Sequence, residues 1–243
     1  FTDSELTRLY ALFLLAHSEE GLSNVSFRLL NLKYPELVEE EVLSTEVTDE
    51  DRAEGVKDEF GIIYSKDGKR LLEGNETLTE YTVRKGTRVI CDYAFWGCNS
   101  LTSLTFPSSL QSIGYCAFYG CSSLTSLTLP SSLQSIEGGA FTGCTSLRSV
   151  ICNKFYKVIG QMLLSSDGTQ VIAYWGKNSE VTIPEGVQSI GDSVFSCCSS
   201  LTSLTLPSSL QSIGDRAFLG CKSLSSLTLP SSLQSIGDSA FCF

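Results

Sequence analysis

Nucleophilic catalysis in this chain would have to pass through His17, the single histidine among 243 residues. A serine or cysteine nucleophile needs such a base within hydrogen-bond reach. No G-x-S-x-G elbow accompanies it, and serine is abundant because it recurs inside repeated phrases. Leu6, Leu9, Tyr10, Phe13 and Leu14 follow a helical period that ends near Gly21, which places His17 on a helix surface. Asp67 and Asp167 belong to turns, and Glu80 and Glu180 to strands, so no pair of carboxylates converges. Glycines mark turns and not phosphate loops. The expectation is a protein that is not an enzyme and uses no cofactor.

Ten cysteines remain to be explained. Cys98, Cys121, Cys144, Cys198 and Cys221 occupy one position of a repeat, just before a strand. Each is expected to fill a small buried slot, with its thiol satisfying a nearby backbone carbonyl. Neighbouring coils stack about 4.8 Å apart, within the Cα range that a disulfide tolerates, so spacing alone does not exclude pairing. The vicinal Cys197 and Cys198, with Cys91, Cys116, Cys152 and Cys242, show no C-x-x-C spacing, and no zinc site is expected.

The elements that hold these residues are written in the repeat itself. Cys98–Gly120, Cys121–Gly143, Cys198–Gly220 and Cys221–Phe243 are 23-residue copies of C-x-S-L-x-S-L-T-(L/F)-P-S-S-L-Q-S-I-x-x-x-A-F-x-x. Weaker copies cover Asn75–Gly97 and Trp175–Cys197. A longer period is superimposed: residues 60–143 align with 160–243 at an offset of 100, and 43 of the 84 pairs are identical. Such periods define a solenoid, whose coils bury their apolar residues only by stacking. In the coil from Cys198, Leu204 and Leu206 alternate with Ser203 and Thr205 as in a half-buried strand, and Pro207 ends it. Leu210, Ile213, Ala217 and Phe218 follow at helical or 3₁₀ spacing and are expected to close the coil.

The 23-residue period, the phrase LTLPSSLQSIG followed by AF, and the GC-x-SL junction together resemble the BspA-like, treponemal-type leucine-rich repeats of bacterial surface proteins. The resemblance covers residues 75–143 and 175–243. It extends to the interruptions, because a hairpin like Ile62–Gly68 or Met162–Gly168 is a common insertion in that family, and Asp-Gly between apolar stretches is a hairpin signal by itself. The fold class expected is an α/β repeat: a right-handed leucine-rich-repeat solenoid over residues 56–243, with β-hairpin insertions near 60–74 and 152–174. Residues 1–55 would form a helical N-terminal cap with an acidic linker. Seven strands stacked in one parallel sheet would span about 30 Å.

Charge narrows the partners. Residues 36–59 hold eleven acids against Arg52 and Lys57, a net of −9 within a total of −10, and residues 60–243 balance. No basic stripe exists for nucleic acid. No apolar run reaches membrane-spanning length, so no membrane insertion is expected. Asp3 and Glu5 stand where a secretory signal would be basic, and Phe1 is not an initiator, so localisation is not read from this end. The resemblance implies the cell surface or secretion, with a cytoplasmic location left open.

Two surfaces are candidates for binding. Stacked strands would align Glu80/Thr82, Ser103/Thr105, Ser126/Thr128, Ser149/Ile151, Glu180/Thr182, Ser203/Thr205 and Ser226/Thr228 into a flat, weakly polar face. It could receive a protein at little entropic cost, though Ser and Thr are also ordinary soluble strand formers. The second candidate is aromatic: Tyr93, Trp96, Tyr115 and Tyr119 lie in adjacent coils where later coils carry other residues. Aromatic anchors favour interfaces; packing between coils is the competing account. The resemblance implies a protein-binding or adhesion module that engages host, matrix or neighbour-cell proteins. The alternative is a structural solenoid that assembles with its own copies, with homotypic contact through the coil 221–243.

Overall fold

The computed structural model describes residues 43–242. The chain divides into two compact units, Phe1–Leu43 and Ser44–Phe243. His17 and the helical periods expected in the first 42 residues lie outside the described residues.

The second unit opens on a short helix, α1 (Asp49–Glu54), started by a reciprocal capping box: the Thr48 hydroxyl accepts from the Asp51 amide and the Asp51 carboxylate accepts from the Thr48 amide. Arg70 fastens the segment to the solenoid. Its guanidinium pairs with Asp51 at 2.7 Å and donates to the carbonyls of Ser44 and Glu46.

A meander of three antiparallel strands follows: β1 (Val56–Lys57), β2 (Ile63–Tyr64) and β3 (Arg70–Glu73). Its hairpin turns at Asp67-Gly68, as expected. The Asp67 carboxylate accepts from the Ser65 hydroxyl at 2.7 Å and the Lys69 amide at 3.0 Å, and Gly68 takes a φ of +72°. The second meander repeats the device around Asp167-Gly168 with β11 (Tyr156–Ile159), β12 (Met162–Ser165) and β13 (Gln170–Tyr174).

Between and after the meanders run the coils, most of them contributing a three-residue and a two-residue strand. The three-residue strands of the first half are β4 (Glu80–Thr82), β6 (Ser103–Thr105), β8 (Ser126–Thr128) and β10 (Ser149–Ile151), paired in parallel in that order. The two-residue strands β5 (Val89–Ile90), β7 (Ser112–Ile113) and β9 (Ser135–Ile136) extend the first meander's sheet. In the second half, β14 (Glu180–Thr182) pairs with β16 (Ser203–Thr205). There β15 (Ser189–Ile190), β17 (Ser212–Ile213) and β18 (Ser235–Ile236) extend the second meander's sheet.

Residue-level contacts explain why the same phrase recurs. The second serine of P-S-S-L reaches back one coil: Ser109 donates to the Thr87 carbonyl, Ser132 to Leu110, Ser209 to Val187 and Ser232 to Leu210, at 2.6–2.8 Å. The phenylalanine of A-F builds a column of rings. Phe95, Phe118 and Phe141 stack at 5.3 and 5.7 Å, and Phe195, Phe218 and Phe241 at 5.4 and 5.2 Å, with planes within 13°.

Two expectations are corrected. Leu210, Ile213, Ala217 and Phe218 are buried and do close the coil, but not as a helix: Ser212–Ile213 is a strand, and turns follow. Two positions per coil adopt left-handed backbone, as at Arg216 (φ 52°) and Gly220 (φ 71°), and such residues stop a helix. Nor do seven strands share one sheet. The ladder is split into four strands and two, and Ser226 and Thr228 lie outside any strand.

The second meander causes the split, because its alternating side chains serve two cores. Tyr156, Leu163, Ala173 and Trp175 complete the core of the first half. Met162, Leu164, Val171 and Tyr174 begin the core of the second. The unit is thus a solenoid in two halves, each with its own apolar core.

Candidate functional site

The strand face is in place but divided. Glu80, Ser103, Ser126 and Ser149 stand in register in the first half, as do Thr105 with Thr82 and Ile151 with Thr128. Glu180 aligns with Ser203 and Thr182 with Thr205 in the second. All fourteen residues of the expected ladder are exposed, Ser226 and Thr228 included, and the inward residue of each strand from Tyr81 to Leu204 is buried or nearly so. Ile151 stands 60% exposed at the edge of the first ladder.

The aromatic residues do meet. Trp96 stacks on Tyr119 at 4.3 Å, and Tyr93 lies edge-on to Tyr115 at 5.5 Å and 5.3 Å from Trp96. The group then divides by role. The Tyr115 hydroxyl sits 2.6 Å from the Ser193 hydroxyl of the second half, and burial, then the neighbouring Cys197, raises the Tyr119 hydroxyl above its ordinary range. Tyr93 and Trp96 keep 48% and 52% of their surface open. Tyr93 also holds a φ of 59°, a conformation costly for a bulky side chain.

This junction between halves was not anticipated from the sequence. Thr142 is buried and its hydroxyl reaches the carbonyls of Ser193 and Val194 at 3.3 and 3.5 Å. A Cβ on Gly138 would lie 2.2 Å from the Asp192 carbonyl oxygen, and one on Gly139 would meet Cys116 Sγ at 2.9 Å and Ser193 Cβ at 3.1 Å. The signal is present in the chain: E-G-G stands where other coils read G-D-S, G-D-R or G-Y-C. Cys197 belongs to the same junction and takes a left-handed φ of 56° where Gly97, Gly120 and Gly220 stand in other coils.

Three of the five cysteines at the repeat position make the expected thiol-to-carbonyl contact, and all five but the half-buried Cys198 are buried. Cys121 donates to the Phe95 carbonyl at 3.1 Å, Cys144 to Phe118 at 3.2 Å and Cys221 to Phe195 at 3.0 Å. Burial pushes the Cys98 and Cys198 thiols up to about 12 and that of Cys221 up to about 11. They are packing groups and not nucleophiles.

A hydrogen-bonded chain of ionisable groups pins the first meander to the first coil. The buried Asp58 carboxylate accepts from the Tyr81 hydroxyl at 2.6 Å, and Tyr81 meets the Tyr64 hydroxyl at 2.6 Å. Arg84 lies 4.6 Å over the Tyr64 ring and 3.8 Å from Asp58. Burial and then the Asp58 bond drive the Tyr81 hydroxyl far above its ordinary range, which keeps it a neutral donor. The groups satisfy one another, so the cluster fastens rather than reacts. Among the described residues, no group of three or more His, Cys, Asp or Glu side chains is placed to hold a metal ion, and no helix is long and apolar enough to cross a membrane.

Stacked 23-residue coils, a ring column and a strand face that carries its side chains into solvent define a leucine-rich-repeat solenoid. The chain belongs to the BspA-type leucine-rich-repeat family, whose model matches residues 68–178 and 168–243. Two crystal structures are similar to it. The pneumococcal vaccine antigen PcpA matches at 26% identity and a TM-score of 0.55, over 66% of this chain and 47% of that one. A leucine-rich cell surface protein from Faecalibacterium prausnitzii matches at 27% identity and a TM-score of 0.52, over 69% of this chain and 52% of its own. The chain therefore spans about half the length of each. A search of curated proteins found no match. The family suggests protein interaction in general, and no enzymatic family is indicated.

Proposed function

We propose that the chain is a non-enzymatic protein-binding module that works at a cell surface and engages host, matrix or neighbour-cell proteins. The observation that carries this reading is the pair Tyr93 and Trp96. The two rings are half exposed, yet held 5.3 Å apart on a backbone braced by Tyr115 and Tyr119. Rings fixed before contact lose little entropy on binding, and aromatic anchors of this kind dominate interface energies. The cell-surface relative from Faecalibacterium supports the location. The exposed strand face offers a second, flatter contact area.

Surface plasmon resonance against a panel of immobilised matrix proteins tests the reading. Trp96→Ala should weaken binding about 30-fold, the size of a hot-spot loss near 2 kcal/mol. Thr105→Lys and Thr128→Lys together should change it less. The reverse order would move the contact to the strand face, and no binding to any matrix protein would refute the adhesion reading.

A further inference from the structure

The junction leaves a sheet edge open inside a cavity. β9 is the last strand of the first half's sheet. Its flanking amides face inward: Ser135 donates to the Gln111 carbonyl at 3.2 Å and Glu137 to the Ile113 carbonyl at 2.9 Å. Backbone groups alternate along a strand, so the amide and carbonyl of Ile136 point away from β7. Where a further coil follows, the corresponding carbonyl is used. Ile90 accepts from Gly114, Ile190 from Gly214 and Ile213 from Gly237, each at 2.8 Å. Among the described residues, no strand follows β9 in this sheet. The chain has turned away through β10 and the second meander, and a cavity of about 610 Å³ occupies the place.

The cavity's walls suit a strand. Ile136, Phe155, Tyr156 and Ile172 supply apolar surface, and Glu137 and Asp192 supply carboxylates, with no lysine or arginine among the described lining residues. The buried hydroxyl of Tyr156, which lines the cavity, has no hydrogen-bond partner. Burial, then the nearby Asp92 carboxylate, raises the Glu137 carboxyl above its ordinary range. Among the described residues, no cation lines the site and no strand pairs with this edge.

We propose that this cavity is a peptide groove, in which an extended segment of a partner protein adds to β9 as a parallel strand and sets a basic side chain against Glu137 and Asp192. Main-chain pairing to an exposed edge supplies affinity in such recognition, and flanking side chains supply selectivity. The ladder defines the strand that fits. Ser112-Ile113, Ser135-Ile136, Ser212-Ile213 and Ser235-Ile236 each lie beside the Val-Ile or Ser-Ile pair 23 residues before. This inference refines the protein-binding reading and rests on it.

The test is fluorescence anisotropy with a labelled peptide, SLQSIGKK, which carries the ladder strand of residues 109–114 and then two lysines. Saturable binding to the full chain is expected. Methylating the peptide's second serine and glycine amides, which by the ladder's repeat would meet the Gln134 and Ile136 carbonyls, should weaken it at least ten-fold. Replacing both lysines by glutamates should do the same. Glu137→Gln keeps an acceptor for the Thr45 hydroxyl, which lies 3.1 Å away, and should weaken binding about two- to five-fold. No saturable binding at millimolar peptide overturns the proposal, and so does equal affinity for the methylated peptide. A chain that binds matrix proteins but not the peptide refutes the groove alone; one that binds neither refutes both readings.

Discussion

Replacing Gly138 by alanine tests the two-half architecture at its tightest point. The added Cβ would stand 2.2 Å from the Asp192 carbonyl oxygen and 2.8 Å from its carbonyl carbon and Cβ. These are mostly backbone atoms, which cannot rotate aside as a side-chain tip would. The turn at Asp192–Val194 must retreat by about 1 Å to restore ordinary contact. That retreat breaks the Tyr115–Ser193 bond of 2.6 Å and the longer bonds from Thr142 to Ser193 and Val194. A net hydrogen bond contributes about 1 kcal/mol, and overpacking costs about 1–3 kcal/mol, so the loss should be about 2–4 kcal/mol. For a domain of this size that lowers Tm by about 5–12 °C. The assay is urea and thermal unfolding followed by circular dichroism. Solenoid coils interact mainly with their neighbours, so a loosened junction should also broaden the transition or divide it into two. Asp215→Ala is the control, since it removes only the 2.7 Å bond from the Asp238 amide and should cost about 1 kcal/mol. If Gly138→Ala unfolds within about 0.5 kcal/mol of the parent, with one transition of unchanged steepness, the halves do not pack as described.

The ring column predicts that Phe118→Ala costs about 3–5 kcal/mol, because Phe118 is wholly buried between Phe95 and Phe141; chemical denaturation reads the loss. Cysteine accessibility should follow burial: iodoacetamide at pH 8 should modify the exposed Cys197 and Cys242 first. Cys98, with its thiol pushed up to about 12 by burial, is only about one part in 10⁴ thiolate at that pH and should react on unfolding; peptide mass mapping decides. Burial works to raise the Asp51 carboxyl, but the Thr48 amide and the Arg70 guanidinium outweigh it and hold it below its ordinary value. A lowered carboxylate stabilises above its unfolded pKa, and the contribution fades as pH falls through the folded one. Arg70→Ala should therefore cost about 2–3 kcal/mol at pH 7 and less than that at pH 2–3, measured by urea unfolding at both pH values; an equal cost at both would sink the assignment.

How much of this was legible in the chain depends on the distance over which each feature is decided. A coil is a local object. The alternation in S-L-T-S-L-T-L, the stop at proline and the Asp-Gly turns are settled by near neighbours and by one identical coil on each side, so the sequence carried the strands, both hairpins and the thiol-to-carbonyl contacts of Cys121, Cys144 and Cys221. The closing segment misled, because Leu210, Ile213, Ala217 and Phe218 have helical spacing, whereas Arg216 and Gly220 take left-handed backbone that spacing does not reveal. The split ladder was hidden for a different reason. Met162, Leu163 and Leu164 are three adjacent apolar residues, and nothing local assigns Leu163 to one core and its neighbours to another. Only the small residues record the consequence. Gly138 and Gly139 replace side chains that every other coil keeps, because a second surface arrives there. In a repeat protein the positions that break the pattern carry the information that the pattern cannot, and the groove beside β9 is built around such a break.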